Sequence, residues 1–129
     1  MADNISSGVA NSVLGLLLNG TAFAGFAATY VQLHVGAPGA SGTSNVAGNN
    51  TRQAAGAFAT PSGGSTTNSG AVNWTSVPTN ETYSHVSLWS ASTSGTFIAS
   101  GSITAGAILA GQNFTIPAGG MSVSLPVAA

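Results

Sequence analysis

At 129 residues the chain has room for one domain, and a second independent core is not expected. Asp3, Arg52 and Glu81 are its only acidic and basic residues, 2% of the chain against an ordinary share of about 25%, so neither nucleic-acid phosphates nor an acidic lipid surface would meet the Lys and Arg contacts they require. With no cysteine, a disulfide framework and thiolate chemistry are excluded, and the redox compartment is not diagnosed.

A formal net charge of −1 gives free copies little mutual repulsion, which suits life inside an assembly. Hydroxyl and amide side chains can equally solvate a monomer, and composition does not choose between the two.

The first expected element is a short amphipathic helix from Asp3 or Asn4 to about Leu18. Asp3, Asn4 and Ser6 are candidate N-caps; Ile5, Val9, Val13, Leu16 and Leu17 fall at helical spacing, and Asn19-Gly20 is a natural stop. The apolar run Val13 to Leu18 ahead of Ala22-Phe23-Ala24 resembles a secretion signal. The leading segment lacks Lys and Arg and carries Asp3, so export is set aside. A membrane span over Val13 to Val35 is broken by Asn19, Gly20, Thr21, Gly25, Gln32 and His34, and a buried helix followed by a strand accounts better for the run.

That strand is Tyr30 to Val35, with Val31, Leu33 and Val35 on one face and Tyr30, Gln32 and His34 on the other. A long Gly-, Ser- and Asn-rich loop over 36–51 follows; loops of such length are usually functional or mobile, which makes this one a candidate contact arm. Arg52 to Phe58 is a weak strand of small residues, and 60–70 is a second flexible stretch. Ala71 to Val77 places Val72 and Trp74 on one face before Pro78.

The strongest local pattern is His85 to Gly101, two apolar, partly alternating runs around Ser90-Ala91-Ser92-Thr93-Ser94-Gly95, which predicts an antiparallel hairpin with Val86, Leu88 and Phe97 in the core. Ser102 to Leu109, Asn113 to Ile116 and Met121 to Leu125 supply further strands, the last two joined by Pro117-Ala118-Gly119-Gly120. Together these predict a mainly β chain: an antiparallel β-sandwich or barrel-like domain over 30–129, preceded by one short N-terminal α-helix within 1–20.

Reactive constellations are sparse. A zinc site needs three or four ligands, and His34 and His85 have no cysteine beside them, so no metal is expected. Glu81 and His85 share strand parity and could be joined to a serine on paper, but no nucleophile elbow accompanies them, and no catalysis or cofactor is expected. Gly36, Gly39 and Gly42 lack the Lys and the following helix of a phosphate cradle. Trp74, Trp89, Tyr83 and Phe97 could form a carbohydrate-stacking platform; at alternating strand positions the commoner role of aromatics is core.

Four short segments occur in order: Leu33-His34-Val35-Gly36-Ala37-Pro38-Gly39, Thr51-Arg52-Gln53-Ala54, His85-Val86-Ser87-Leu88-Trp89-Ser90-Ala91 with Gly95-Thr96-Phe97, and Ala110-Gly111 before Phe114-Thr115-Ile116. Over roughly residues 30 to 120 the chain resembles a family of small tailed-bacteriophage virion proteins, tail-fibre or head-decoration proteins of actinobacterial phages. It departs from that family where Ala37 and Ser90 stand in place of frequent Asp residues.

The resemblance implies a structural role. It favours a capsid decoration protein that packs against copies of itself and the major capsid protein on the outside of the particle. The candidate anchors are Ile5, Val9, Val13, Leu16 and Leu17 on the helix and Pro38 and Asn45 in the loop, with Trp89 divided between core and contact. The alternative is a tail-fibre or tail-tip protein that holds host glycans through its uncharged loops and Trp89 or Tyr83. Neither reading involves nucleic acid or a membrane.

Overall fold

The computed structural model describes residues 4–128. Chain order is β1 (Asn4–Ile5), α1 (Ser7–Asn19), β2 (Tyr30–His34), β3 (Gln53–Ala54), β4 (Ser65–Thr67), β5 (Val72–Trp74), β6 (Glu81–Trp89), β7 (Phe97–Ile108), β8 (Phe114–Ile116) and β9 (Ser122–Ser124). The chain is mainly β with one N-terminal helix, as its patterning predicts. One five-stranded sheet, ordered β1-β7-β6-β2-β3, is accompanied by two-stranded ribbons β4-β9 and β5-β8, and all pairings are antiparallel. The sheet is open, so the barrel alternative does not hold.

The hairpin at the centre is longer than expected, because Ser102 to Leu109 is not a separate strand but the continuation of β7. Period-two alternation sets its core face: Val31 lies opposite Leu88, Leu33 opposite Val86, and Leu88 opposite Ala99. These residues pack with Trp74 and Ile116 from the β5-β8 ribbon and with Met121. Phe114 adds ring contacts to Trp74 and Tyr83, with centroids 6.1 and 4.9 Å apart. Buried Asn68 ties the ribbons together: its amide nitrogen donates to the Gly70 and Pro117 carbonyls and its oxygen accepts from the Met121 N–H. The stretch 60–70 is therefore not simply a flexible connection, since it contains β4.

A bulge between Tyr83 and His85 reverses the alternation along β6. Tyr83 thereby joins Val86 and Leu88 in the core, and the parity that would have aligned Glu81 with His85 is lost.

The helix departs most from expectation. It begins at Ser7, with Ser6 as N-cap accepting the Val9 N–H at 3.3 Å. Asn4 and Ile5 are extended and pair with Ser100 and Ala99 of β7, so Ile5 is a strand residue, and Asp3 lies outside the described residues. The Ser6 hydroxyl donates to the Phe97 carbonyl and its N–H to the Ile98 carbonyl, which pins the start of α1 to the hairpin. Gly20 ends it in the left-handed conformation at φ 66°, with Thr21 N–H bonded to the Gly15 carbonyl. The helix is not buried: only Val9 is enclosed, at 7% exposure, while Leu17 and Leu18 are 69% and 77% exposed. The apolar face of the sheet is already covered by the β5-β8 ribbon and Met121, leaving no place on it for α1.

Candidate functional site

The second face of the sheet carries polar side chains. Gln32, His34, Ser87 and Trp89 alternate with the core residues of β2 and β6, and all four are buried. Unsolvated polar groups need internal partners, and the loop over 36–51 supplies them by folding down over this face. His34 Nδ1 lies 2.8 Å from the Ser44 carbonyl, which can only accept; that fixes the proton on Nδ1 and leaves Nε2 to accept from the Ser87 hydroxyl at 2.7 Å. Ser87 Oγ in turn accepts the Trp89 indole N–H at 2.7 Å. Burial lowers the His34 pKa below 6.5, outweighing the nearby Ser44 and Asn45 carbonyls, and the ring is neutral at pH 7.

The loop itself is fastened along its length. Val35 N–H bonds the Asn45 carbonyl, Ser44 N–H the Pro38 carbonyl, and Ala47 N–H the Leu33 carbonyl. Asn45 stands at φ 53° and its amide donates to the Ala37 carbonyl at 2.9 Å. Gly42, at φ 72°, lies against the Phe97 ring so closely that a β-carbon there would stand 2.6 Å from it.

Two charged residues complete the fastening. Glu81 accepts the Gly48 and Asn49 backbone N–H groups, 33 and 32 residues away in sequence, at the far end of the loop. Partial burial pushes its pKa up, but the hydrogen bonds from Gly48, Thr79 and Asn49 prevail and hold the carboxyl below the usual value of 4.5. Arg52 donates to the Ala91 and Ser94 carbonyls of the hairpin loop at 2.9 and 2.7 Å and to Gln32 Oε1 at 3.2 Å. Its guanidinium carbon stands 4.1 Å from the centroid of the Trp89 ring. Ser90, in the place of a family Asp, accepts the Thr96 N–H at 2.8 Å and so closes the same loop with a hydroxyl.

This geometry fixes where the expected contact residues lie. Pro38 is fully buried under the loop, and Trp89 is 8% exposed, between Arg52 and Phe97, whose ring centroid is 5.4 Å from its own. Neither offers a free surface, and Tyr83 is in the core, so the stacking platform drawn from Trp89 and Tyr83 is not formed. Asn45 is exposed but engaged in holding the loop. Ile5 is half-buried against β7, Val9 is enclosed, Val13 is half-buried, and Leu16 and Leu17 are exposed. His34 and His85 are register partners, yet both nitrogens of His34 are occupied and His85 Nδ1 is bonded to the Ser84 hydroxyl at 2.8 Å.

Sequence reasoning missed the roles of Ser87, Arg52 and Glu81, and it missed Leu14 and Leu18 as exposed residues. For Arg52 and Glu81 the available signal is that they are lone charges in a nearly neutral chain; Ser87, one of many serines, carries no such signal.

Two uncharged grooves mark the surface. One, of about 310 Å³, runs between the start of α1 and the loop, lined by Ile5, Ser6, Ala37, Ala40, Phe97 and Ser100. The other, of about 330 Å³, lies along Ile103, Thr104, Phe114, Ile116 and Pro117. Among the described residues no three His, Cys, Asp or Glu side chains converge, and no helix is long and apolar enough to cross a membrane. What this arrangement can do chemically is present hydrogen-bonded loops with uncharged tips and a helix with exposed leucines.

No curated protein matches the sequence. The family described as podophage GP4 fiber I protein gp80 matches over residues 4–124, nearly the whole of the β-domain and the helix. The chain belongs to this family, and it is a phage structural protein of fibre type associated with the virion.

Proposed function

We propose that the protein is a component of a phage tail fibre and that it acts by binding, without catalysis. The fibre-family match over residues 4–124 carries this reading and turns the emphasis from capsid decoration to the tail. The non-catalytic part is supported by Ser87 and His34, which are fully enclosed and have their donors and acceptors committed to each other, to Ser44 and to Trp89. With the Trp89 and Tyr83 rings covered, a host glycan would meet the hydroxyl and amide groups of exposed Ser41, Thr43, Asn45, Ser92 and Thr93.

Antibody labelling or reconstruction of purified particles tests the location, and the expected result is density at the tail. Many copies spread over the head would overturn it in favour of decoration, with α1 seated on the major capsid protein; the exposed leucines of that helix are the observation that favours this second reading. Adsorption blocking by the free protein tests receptor contact, and an unchanged adsorption rate at saturating protein would remove the glycan part of the proposal.

A further inference from the structure

We infer that α1 is a self-association element, and that the apolar face it turns away from the β-domain is covered by α1 of a second copy of this chain. The helix has two apolar arcs. Val9, Val13 and Leu16 follow one another on the side where Val9 meets the domain; Ala10, Leu14, Leu17 and Leu18 recur at i, i+4, i+7 and i+8 on another. That second spacing marks a face built for burial. Among the described residues it is largely uncovered: Leu14, Leu17 and Leu18 are 52%, 69% and 77% exposed. Phe23 and Phe26, edge to face at 5.7 Å and only half-buried, extend the apolar surface beyond Gly20.

Charge and area select the occupant. No Asp, Glu, Lys or Arg lies between Asp3 and Arg52, so identical helices meet without repulsion, and a partner recognised by its charge would find nothing to pair with. A lipid surface is disfavoured for the same reason, since helices that lie in a membrane interface carry Lys and Arg on their polar face. Leu14, Leu17 and Leu18 leave on the order of 350 Å² uncovered per copy, so two copies remove about 700 Å² before Phe23, Phe26 and the small residues are added towards the roughly 1,200 Å² from which stable interfaces begin. Because α1 is pinned at Ser6 and its far end stands clear, its outer leucines can reach another copy without disturbing the sheet. This inference does not rest on the tail location: it concerns the purified chain, and particle imaging decides the location separately.

Analytical ultracentrifugation of the full chain is the test. The expected mass is a multiple of 12.4 kDa, and the combined variant Leu14→Asn, Leu17→Asn, Leu18→Asn should raise the dissociation constant at least about tenfold while the near-ultraviolet signal of Trp74 and Trp89 is retained. A wild-type chain that stays monomeric at about 100 μM, or a folded triple variant that assembles as well as the wild type, overturns the inference. So does a monomeric chain that sediments with phosphatidylcholine–phosphatidylglycerol vesicles. Should the triple variant fail to fold, Leu18→Cys decides, since the chain has no other cysteine: mild oxidation should give a covalent dimer, whereas the exposed ribbon-side control Ser62→Cys should not, and equal cross-linking of the two would overturn the inference.

Discussion

Two stretches rich in small residues behave in opposite ways. The loop over 36–51 is held to the sheet by backbone bonds between Asn45 and Val35 and between Ala47 and Leu33, by His34 beneath it, and by Glu81 at its far end, and a Ser44–Pro38 bond braces it internally. The arm over 7–29 has a well-capped helix but few ties to the domain beyond Val9, and it shows water a row of leucines. Length and glycine content do not make a loop free; what decides is whether buried polar groups below it need partners. Regular secondary structure, conversely, does not make a segment part of the core.

If the 36–51 region is core and the arm is not, substitutions should separate them. The largest effect is expected for Trp89→Ala, which removes the ring between Arg52 and Phe97 and should destabilise the chain by about 3–5 kcal/mol in urea unfolding. A value near zero would return Trp89 to the surface. Arg52→Ala removes the partner of the part-buried Ala91 carbonyl and uncovers the indole, with an expected loss of about 2 kcal/mol, and Arg52→Lys should recover less than half because an ammonium cannot reproduce the planar fork.

A smaller, pH-dependent effect follows from His34 and Glu81. The unfolded chain binds a proton at His34 near pH 6.5 that the folded chain accepts only at lower pH, so this stability is complete above pH 6.5 and is lost as pH falls below it. Glu81 likewise contributes above its unfolded value of 4.5 and loses that contribution as pH falls through the depressed folded value. Unfolding midpoints between pH 8 and 3 should therefore fall in two steps, and His34→Gln should flatten the upper one. The smallest effect is expected for Leu17→Ala, within about 0.5 kcal/mol when measured at a dilution where copies are apart. A loss of 2 kcal/mol or more there would show that the arm belongs to the domain after all.

The legibility of the sequence divided along the same line. Val86 and Leu88 could be placed because apolar side chains at alternate positions mark the core face of a strand, and the helix stop could be placed because Gly20 tolerates the left-handed conformation. The bulge after Tyr83 left no mark, since one extra residue reverses every later side chain without altering composition. The clamps were hidden for a different reason: Glu81 and Gly48 are 33 positions apart, and nothing local in either tells that they meet. On α1 the spacing of Val9, Val13 and Leu16 is legible but shares the helix with Ala10, Leu14, Leu17 and Leu18, and periodicity alone does not say which arc faces inward. The family resemblance over the strands was sound at the level of a phage structural protein because its segments coincide with β2, the Arg52 clamp and the central hairpin.

The fastening of Arg52 and Glu81 also determines how the particle's surroundings act on this protein. Among the described residues both ions are engaged by backbone groups, so the described exterior carries little field for dissolved ions to screen. Contacts made by such an exterior should hold from dilute freshwater to brine, because shortening the Debye length from about 30 Å at 0.01 M to about 3 Å at 1 M removes almost nothing from them. Excluded salts such as sulfate should even tighten its apolar contacts.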